Sequence, residues 1–251
     1  MDHVTHYREH GWVVIPGVFS RARVARIAEI AGQVSQLELS GNPATPMTAD
    51  TSPAGQLAPR KIDWAFPKHA EFRAFVLDGH LHALISELIG HPAYLVRDQI
   101  FLKPARFGSA KPWHQDQPHL QVTPLDEAIG AWIALDDATE DNGCLRYIDG
   151  SHRGPALTHT PMPGAGHNAI PDPAQASSVD WARERCALVP AGGVAFHHPL
   201  TLHSSQPNTS PRPRRAYSSH WVTQRVTCTD HTLEWAYSRR VGKGRHPVLA
   251  P

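Results

Sequence analysis

The sequence predicts an α+β fold in which helices pack against a β-sandwich or jelly roll. Three observations predict it. Apolar residues recur at helical spacing through the first 92 positions. From residue 93 they alternate with period two, and turn-forming residues punctuate this later stretch at short intervals. At 251 residues and 27.6 kDa the chain fits one domain spanning 1–251. Its N-terminal region, 1–92, is helical; a β-core, 93–225, and a C-terminal tail, 226–251, follow.

Residues 3–10 read as a short helix and Trp12–Ile15 as a short strand ended by Pro16. Ser20 then caps an amphipathic helix whose apolar stripe is Val24, Ile27, Ala31, Val34 and Leu37. Residues 40–60 hold Gly, Pro, Thr and Ser without a period and read as a loop. Residues 70–89 read as one helix with Leu81, Leu84, Ile85, Leu88 and Ile89 inward, closed by Gly90 and Pro92. Strands follow at Ala93–Lys103, Gly130–Leu135, Cys144–Ile148, Cys186–Val189, Val194–His197 and Arg215–Thr223. A Pro- and Gly-rich stretch, 150–180, reads as irregular, and Arg239–Pro251 as a loosely ordered tail.

Composition narrows the function classes. Lys and Arg number 24 against 23 Asp and Glu, a net charge of +1, so no domain-wide basic field marks a nucleic-acid binder. No apolar run approaches the roughly 18 residues that span a bilayer, so no membrane partner is expected. The opening MDHVTHYREHGW lacks a signal-peptide apolar core, and a cytoplasmic location is expected. Cys144, Cys186 and Cys228 are far apart and odd in number; they read as small buried hydrophobes, not a disulfide framework. Oligomeric state has no signature. Histidine is the outlier at 18 residues, and it is the commonest metal ligand.

Two of those histidines stand in a metal-like pattern. In Trp113-His114-Gln115-Asp116-Gln117 an imidazole and a carboxylate lie two apart, which in extended backbone puts them on one face. His203, after a strand and a proline, supplies a third ligand from a distant strand. Two His and one carboxylate leave coordination positions open, the facial triad of non-haem Fe(II) oxygenases. A closed structural zinc site uses four protein ligands instead. Eleven residues after His203, Arg214 offers the planar fork that holds the far carboxylate of a dicarboxylate cosubstrate. Arg212 and Arg215 read as a solvated basic turn.

Three stretches, in this order and at this spacing, resemble the phytanoyl-CoA dioxygenase family of Fe(II)/2-oxoglutarate-dependent oxygenases. They are Trp113–Gln117; Ala131–Asp137 with Asn142–Leu145 and Gly150–His152; and Leu202–Ser210 with Arg214-Arg215. The resemblance implies a double-stranded β-helix, the cupin-like jelly roll. It implies Fe(II) on His114, Asp116 and His203, with O2 and 2-oxoglutarate as cosubstrates. It places the distal carboxylate of 2-oxoglutarate on Arg214 and Ser205, with Trp132 and Gln99 beside it and Lys61 or Arg60 near. Related halogenases replace the carboxylate ligand with a small residue; Asp116 is present, which favours hydroxylation.

The implied reaction is oxidation of a C–H bond of a small organic molecule, in specialised metabolism. Gln117 and His119, after the metal motif, and Trp64 and Lys61, in the segment 40–68, are the substrate-facing candidates. No basic cluster suited to a CoA phosphate is visible along the chain, so an acyl-CoA hydroxylase is the alternative rather than the first reading. A non-catalytic member binding metal or 2-oxoglutarate, and a zinc hydrolase on the same ligands, are the readings from other classes.

Overall fold

The computed structural model describes residues 2–41, 48–162, 167–228, 238–241 and 244–247. Helix α1, His3–His10, starts where the Asp2 carboxylate accepts the Thr5 N–H at 2.9 Å. Strand β1, Trp12–Ile15, follows. Helix α2, Arg21–Gly41, begins where Ser20 Oγ accepts the Arg23 N–H. Val24, Ile27 and Ala31 of its expected stripe are buried, but Leu37 is 72% exposed. The last turns of α2 run past the edge of the core, so the stripe outlasts the surface it packs on.

A hairpin of Ala49–Thr51 with Leu57–Pro59 replaces a portion of the expected 40–60 loop; residues 42–47 lie outside the described residues. Strand β2 is Lys61–Asp63. The expected helix 70–89 is two helices, α3 Ala70–Val76 and α4 Gly79–Ile89. Asp78 breaks it: its carboxylate accepts the N–H groups of His80 and Leu81 at 3.0 and 3.1 Å, and it pairs with Arg23. A side chain that can satisfy two orphan N–H groups starts a new helix where periodicity alone runs on. Gly90, with φ +80°, closes α4 as expected.

The remaining framework strands are β3 Ala93–Lys103, β4 Lys111–His114, β5 Ala128–Ala134, β6 Leu145–Ile148, β7 Glu184–Ala187, β8 Val194–His197, β9 His203–Ser205 and β10 Arg214–Thr223. They form two antiparallel sheets. One has six strands in the order β1-β8-β5-β10-β3-β2, and the other four in the order β7-β6-β9-β4. All seven residues of β5 are buried. Its odd positions Ile129, Ala131 and Ile133 join the cluster of Phe72, Phe75, Leu81 and Ile85 under the helices. Its even positions Trp132 and Ala134 pack with Tyr147, Ala195 and Ala216 on the other face. The helices therefore cover one face of the large sheet, and the other face looks toward the small one.

The stretch 150–180 is less irregular than expected: His159–Met162 pairs with His167–Pro171, and Pro173–Ala176 is one helical turn. In the expected tail, Thr227–Cys228 pairs with Val122–Thr123 and Ser238–Val241 with Gly244–Pro247; its other residues beyond Cys228 lie outside the described residues. No described helix is long and apolar enough to cross a membrane.

Candidate active site

His114 ends β4 and His203 opens β9, directly opposite each other in register. Asp116 is not in extended backbone, as the two-residue spacing suggested; it stands at the start of the turn Gln117–Leu120, its N–H donated to the Pro199 carbonyl. Its carboxylate still reaches the histidines. One donor atom from each of the three side chains lies within 4.8 Å of the others, and all three residues are buried. Asp116 Oδ1 is 3.9 Å from His114 Nε2 and 3.8 Å from His203 Nε2.

The protonation states follow from the partners. His114 Nδ1 lies 2.9 Å from the Pro112 carbonyl and His203 Nδ1 2.9 Å from the Thr201 carbonyl. A carbonyl only accepts, so each Nδ1 carries the proton and each Nε2 turns a lone pair inward. Burial holds both rings neutral: it pushes His203 down to about 4 and His114 well below the ordinary imidazole range, where His203 and Lys111 push it further. Burial alone would raise the Asp116 carboxyl. The imidazoles of His220 and His203, and hydrogen bonds from His197 and His220, outweigh it and hold the carboxyl well below the usual range.

Asp116 Oδ2 is gripped by two histidines, His197 Nε2 at 2.9 Å and His220 Nε2 at 3.0 Å. The carboxylate accepts, so both Nε2 atoms donate, and His197 Nδ1 in turn accepts the Tyr147 hydroxyl at 3.0 Å. His197, Gly130 and His220 form one row across β8, β5 and β10. A Cβ on Gly130 would sit 2.5 Å from His197 Nε2, so only glycine at the centre lets the flanking rings converge on Asp116.

The same cavity continues between the sheets to Arg214. The turn before it is built by Asn208, fully buried. Its Nδ2 donates to the Lys103 and Arg212 carbonyls and its Oδ1 accepts from Ser210 N and Oγ. Successive residues of β10 then face opposite ways. Arg215 points out, bidentate on Asp136, and Arg214 points in over the Trp132 ring at 5.2 Å. Arg214 is 2% exposed, its Nε has no hydrogen-bond partner, and burial pushes its guanidinium down to about 10. No carboxylate among the described residues pairs with it, and such a cation is costly unless an anion joins it.

A family model described as phytanoyl-CoA dioxygenase (PhyH) matches residues 7–216. The chain belongs to the phytanoyl-CoA dioxygenase family. It is 33% identical over 168 residues to a mouse phytanoyl-CoA dioxygenase domain-containing protein 1, covering 64% of this chain and 56% of that one. It spans about half the length of the animal relatives it matches. It is 25% identical to an L-proline trans-4-hydroxylase of Streptomyces griseoviridis, over 100% of this chain and 91% of that one. Among solved structures it resembles the non-heme alpha ketoglutarate dependent carbocyclase SnoK from nogalamycin biosynthesis, with TM-score 0.73, 26% identity, and coverage of 90% and 85%. It resembles in fold the epimerase SnoN bound to Fe3+, alpha ketoglutarate and nogalamycin RO, with TM-score 0.73, 22% identity, and coverage of 99% and 94%.

Within this family member the cavity is lined by His114, Asp116, His203, Ser205, Arg214, Trp132 and Gln99, and also by Lys61, Arg60 and His119. Two substrate-facing candidates fall elsewhere. Gln117 begins the short helix and does not line the cavity; the helical turn after Asp116 aims it away. Trp64 lies behind Arg97, 5.0 Å from its guanidinium carbon. His198 faces Asp126 at 3.1 Å, away from the ligands.

The charge reading needs the larger correction. Six basic side chains line the cavity, Arg60, Lys61, Arg97, Lys103, Lys111 and Arg214, against the carboxylates Asp50 and Asp116. They come from four separate segments, so a near-zero net charge concealed them. One signal for them was legible: Gln99 faces inward, and period two from it reaches Arg97, Phe101 and Lys103 on the same strand. His220 had no local signal.

Proposed function

We propose that the chain is an Fe(II)- and 2-oxoglutarate-dependent oxygenase that hydroxylates or otherwise oxidises a C–H bond of a small organic molecule in natural-product metabolism. The two sheets are then the halves of a double-stranded β-helix, and the cavity between them is the active site. The observation that carries the proposal is one buried cavity with an ionised carboxylate and two neutral imidazoles at one place and an unpaired guanidinium at another. That donor set suits a metal with open positions, and the guanidinium suits the far carboxylate of 2-oxoglutarate.

In this reading His114, Asp116 and His203 hold iron, and Arg214 with Ser205 holds the cosubstrate. Trp132 lies against the Arg214 guanidinium, whose planar fork suits a bidentate carboxylate. Bound iron and 2-oxoglutarate supply the oxidation: the substrate C–H and O2 become C–OH as 2-oxoglutarate is split to succinate and CO2. The protein's own residues supply ligand geometry, orientation and exclusion of water. Asp116 keeps the carboxylate ligand, which favours hydroxylation over halogenation. The similarity to a carbocyclase, an epimerase and a proline hydroxylase supports a small-molecule substrate.

The test begins with anaerobic Fe(II) reconstitution, then succinate release across a metabolite library. His114→Ala and Asp116→Ala are expected to lose metal and turnover. Arg214→Met is expected to keep metal and weaken 2-oxoglutarate binding roughly 100-fold, the loss of a bidentate charged pair. Wild-type activity in either metal variant, or unchanged 2-oxoglutarate affinity in Arg214→Met, overturns the reading. Metal and 2-oxoglutarate binding without O2 uptake on any compound supports the non-catalytic alternative.

A further inference from the structure

Beyond the metal and the cosubstrate, the cavity holds more positive charge than either uses. Iron and 2-oxoglutarate carry equal and opposite charges, so loading both leaves the excess in place. Four of the six basic side chains have an assigned partner. Lys61 Nζ is 2.7 Å from Asp63 Oδ1 and Arg60 Nε is 3.9 Å from Asp50 Oδ1. Lys103, pushed by burial down to about 6 and so largely neutral near pH 7, donates from Nζ to the carbonyls of Ser205 and Gln206. Arg214 faces the proposed cosubstrate carboxylate.

Lys111 and Arg97 have no ion-pair partner among the described residues. Arg97 Nε is buried without a hydrogen-bond partner. The Trp64 ring lies 5.0 Å from its guanidinium carbon, a cation–π contact that leaves the charge without a counter-anion. Trp64 itself holds a left-handed backbone, φ +53°, uncommon for a bulky residue, with its N–H donated to the Asp98 carbonyl. Lys111 stands on β4, three residues and roughly 10 Å of strand before His114. Burial, and then Lys61, push its ammonium down to about 8: it is a cation held among cations. Arg97 and His220 are partners in register, so Arg97 lies beside the metal-ligand row and not at a distant rim.

We propose that the substrate is a small anion whose carboxylate, phosphate or sulfate group sits between Lys111 and Arg97, a few bonds from the carbon that is oxidised. This rests on the oxygenase reading and deepens it. It argues against an acyl-CoA, whose phosphates lie at the far end of a long arm from any acyl carbon. Here the cations are inside, beside the ligands. Trp64 becomes the residue that orients Arg97, and Lys61 a flanking cation.

The experiment uses the full chain loaded with Zn(II), a redox-inert substitute for iron, and saturating 2-oxoglutarate, so that the cosubstrate's own site is filled. Inorganic phosphate, sulfate and benzoate are titrated separately by calorimetry, which distinguishes the anion types. At least one is expected to bind one-to-one. Lys111→Met and Arg97→Met are each expected to weaken it at least about tenfold while shifting 2-oxoglutarate affinity by less than about threefold; Lys111→Arg restores it. No anion binding, binding unchanged in both variants, or an equal loss of 2-oxoglutarate affinity overturns the proposal. If wild-type protein fails to bind 2-oxoglutarate, the oxygenase reading fails separately. The same titration of the metal-free chain then decides the anion site, and no binding there overturns it. In the succinate-release library, free acids are expected to be turned over and their methyl esters not.

Discussion

Asp116 divides its two oxygens between two tasks. Oδ1 faces the Nε2 atoms of His114 and His203, while Oδ2 accepts from His197 and His220. A carboxylate held on one oxygen is presented to a metal through the other, with its rotation fixed before the metal arrives. Gly130 makes this possible through the space its missing Cβ leaves. Gly130→Ala is therefore expected to displace the His197 ring and weaken metal binding by about 10- to 100-fold, the usual cost of losing an outer-shell partner. Competition against a chelator of known affinity measures this, and an affinity equal to wild type would show the row to be dispensable.

At the scale of elements, strand alternation sorts the side chains. On β3, Arg97, Gln99, Phe101 and Lys103 face the cavity, and on β10 Arg214, Ser218 and His220 do so. The turn at Asn208 decides which arginine enters: shifting β10 by one residue would put Arg215 inside and Arg214 on Asp136. Asn208→Ala removes the buried donor to the Lys103 and Arg212 carbonyls and the acceptor of the Ser210 N–H. It is expected to cost about 2–3 kcal/mol in urea unfolding and to weaken 2-oxoglutarate binding in parallel. A loss below about 0.5 kcal/mol would mean that the turn holds without it.

For the whole molecule, the buried bases set a pH dependence. Burial pushes His119, His198 and His203 down to about 4, Lys103 to about 6 and Lys111 to about 8. Between each folded value and its higher unfolded value, the unfolded chain binds the extra proton, so stability rises with pH there. Buried Cys144 has the opposite sign: its thiol is pushed up to about 12, so it removes stability as pH climbs past its ordinary range. The metal-free chain is expected to gain stability from pH 4 to about pH 10, where the two lysines reach their unfolded value, and to lose it beyond, each base contributing at most about 1.4 kcal/mol per pH unit. Urea midpoints across that range test this, and a maximum below pH 6 would contradict it.

The sequence by itself determined the order of helices then strands, the strand that runs through Gly130 and Ala134, and the identities of His114, Asp116, His203 and Arg214 as chemically matched groups. These were legible because helix period, strand alternation and ligand type are local properties of the chain. Asp78 was a missed local signal, a cap hidden inside an apolar run. Only the tertiary structure decided that Arg97 and Lys111 share one cavity with the triad, and that His197 and His220 meet across Gly130. Those meetings depend on which strands lie side by side and in what register. Register is set by contacts between residues 82 to 130 positions apart, which no local pattern records. The near-zero net charge was true of the chain and uninformative about the cavity, because a sum over 251 residues does not say where six basic side chains are gathered.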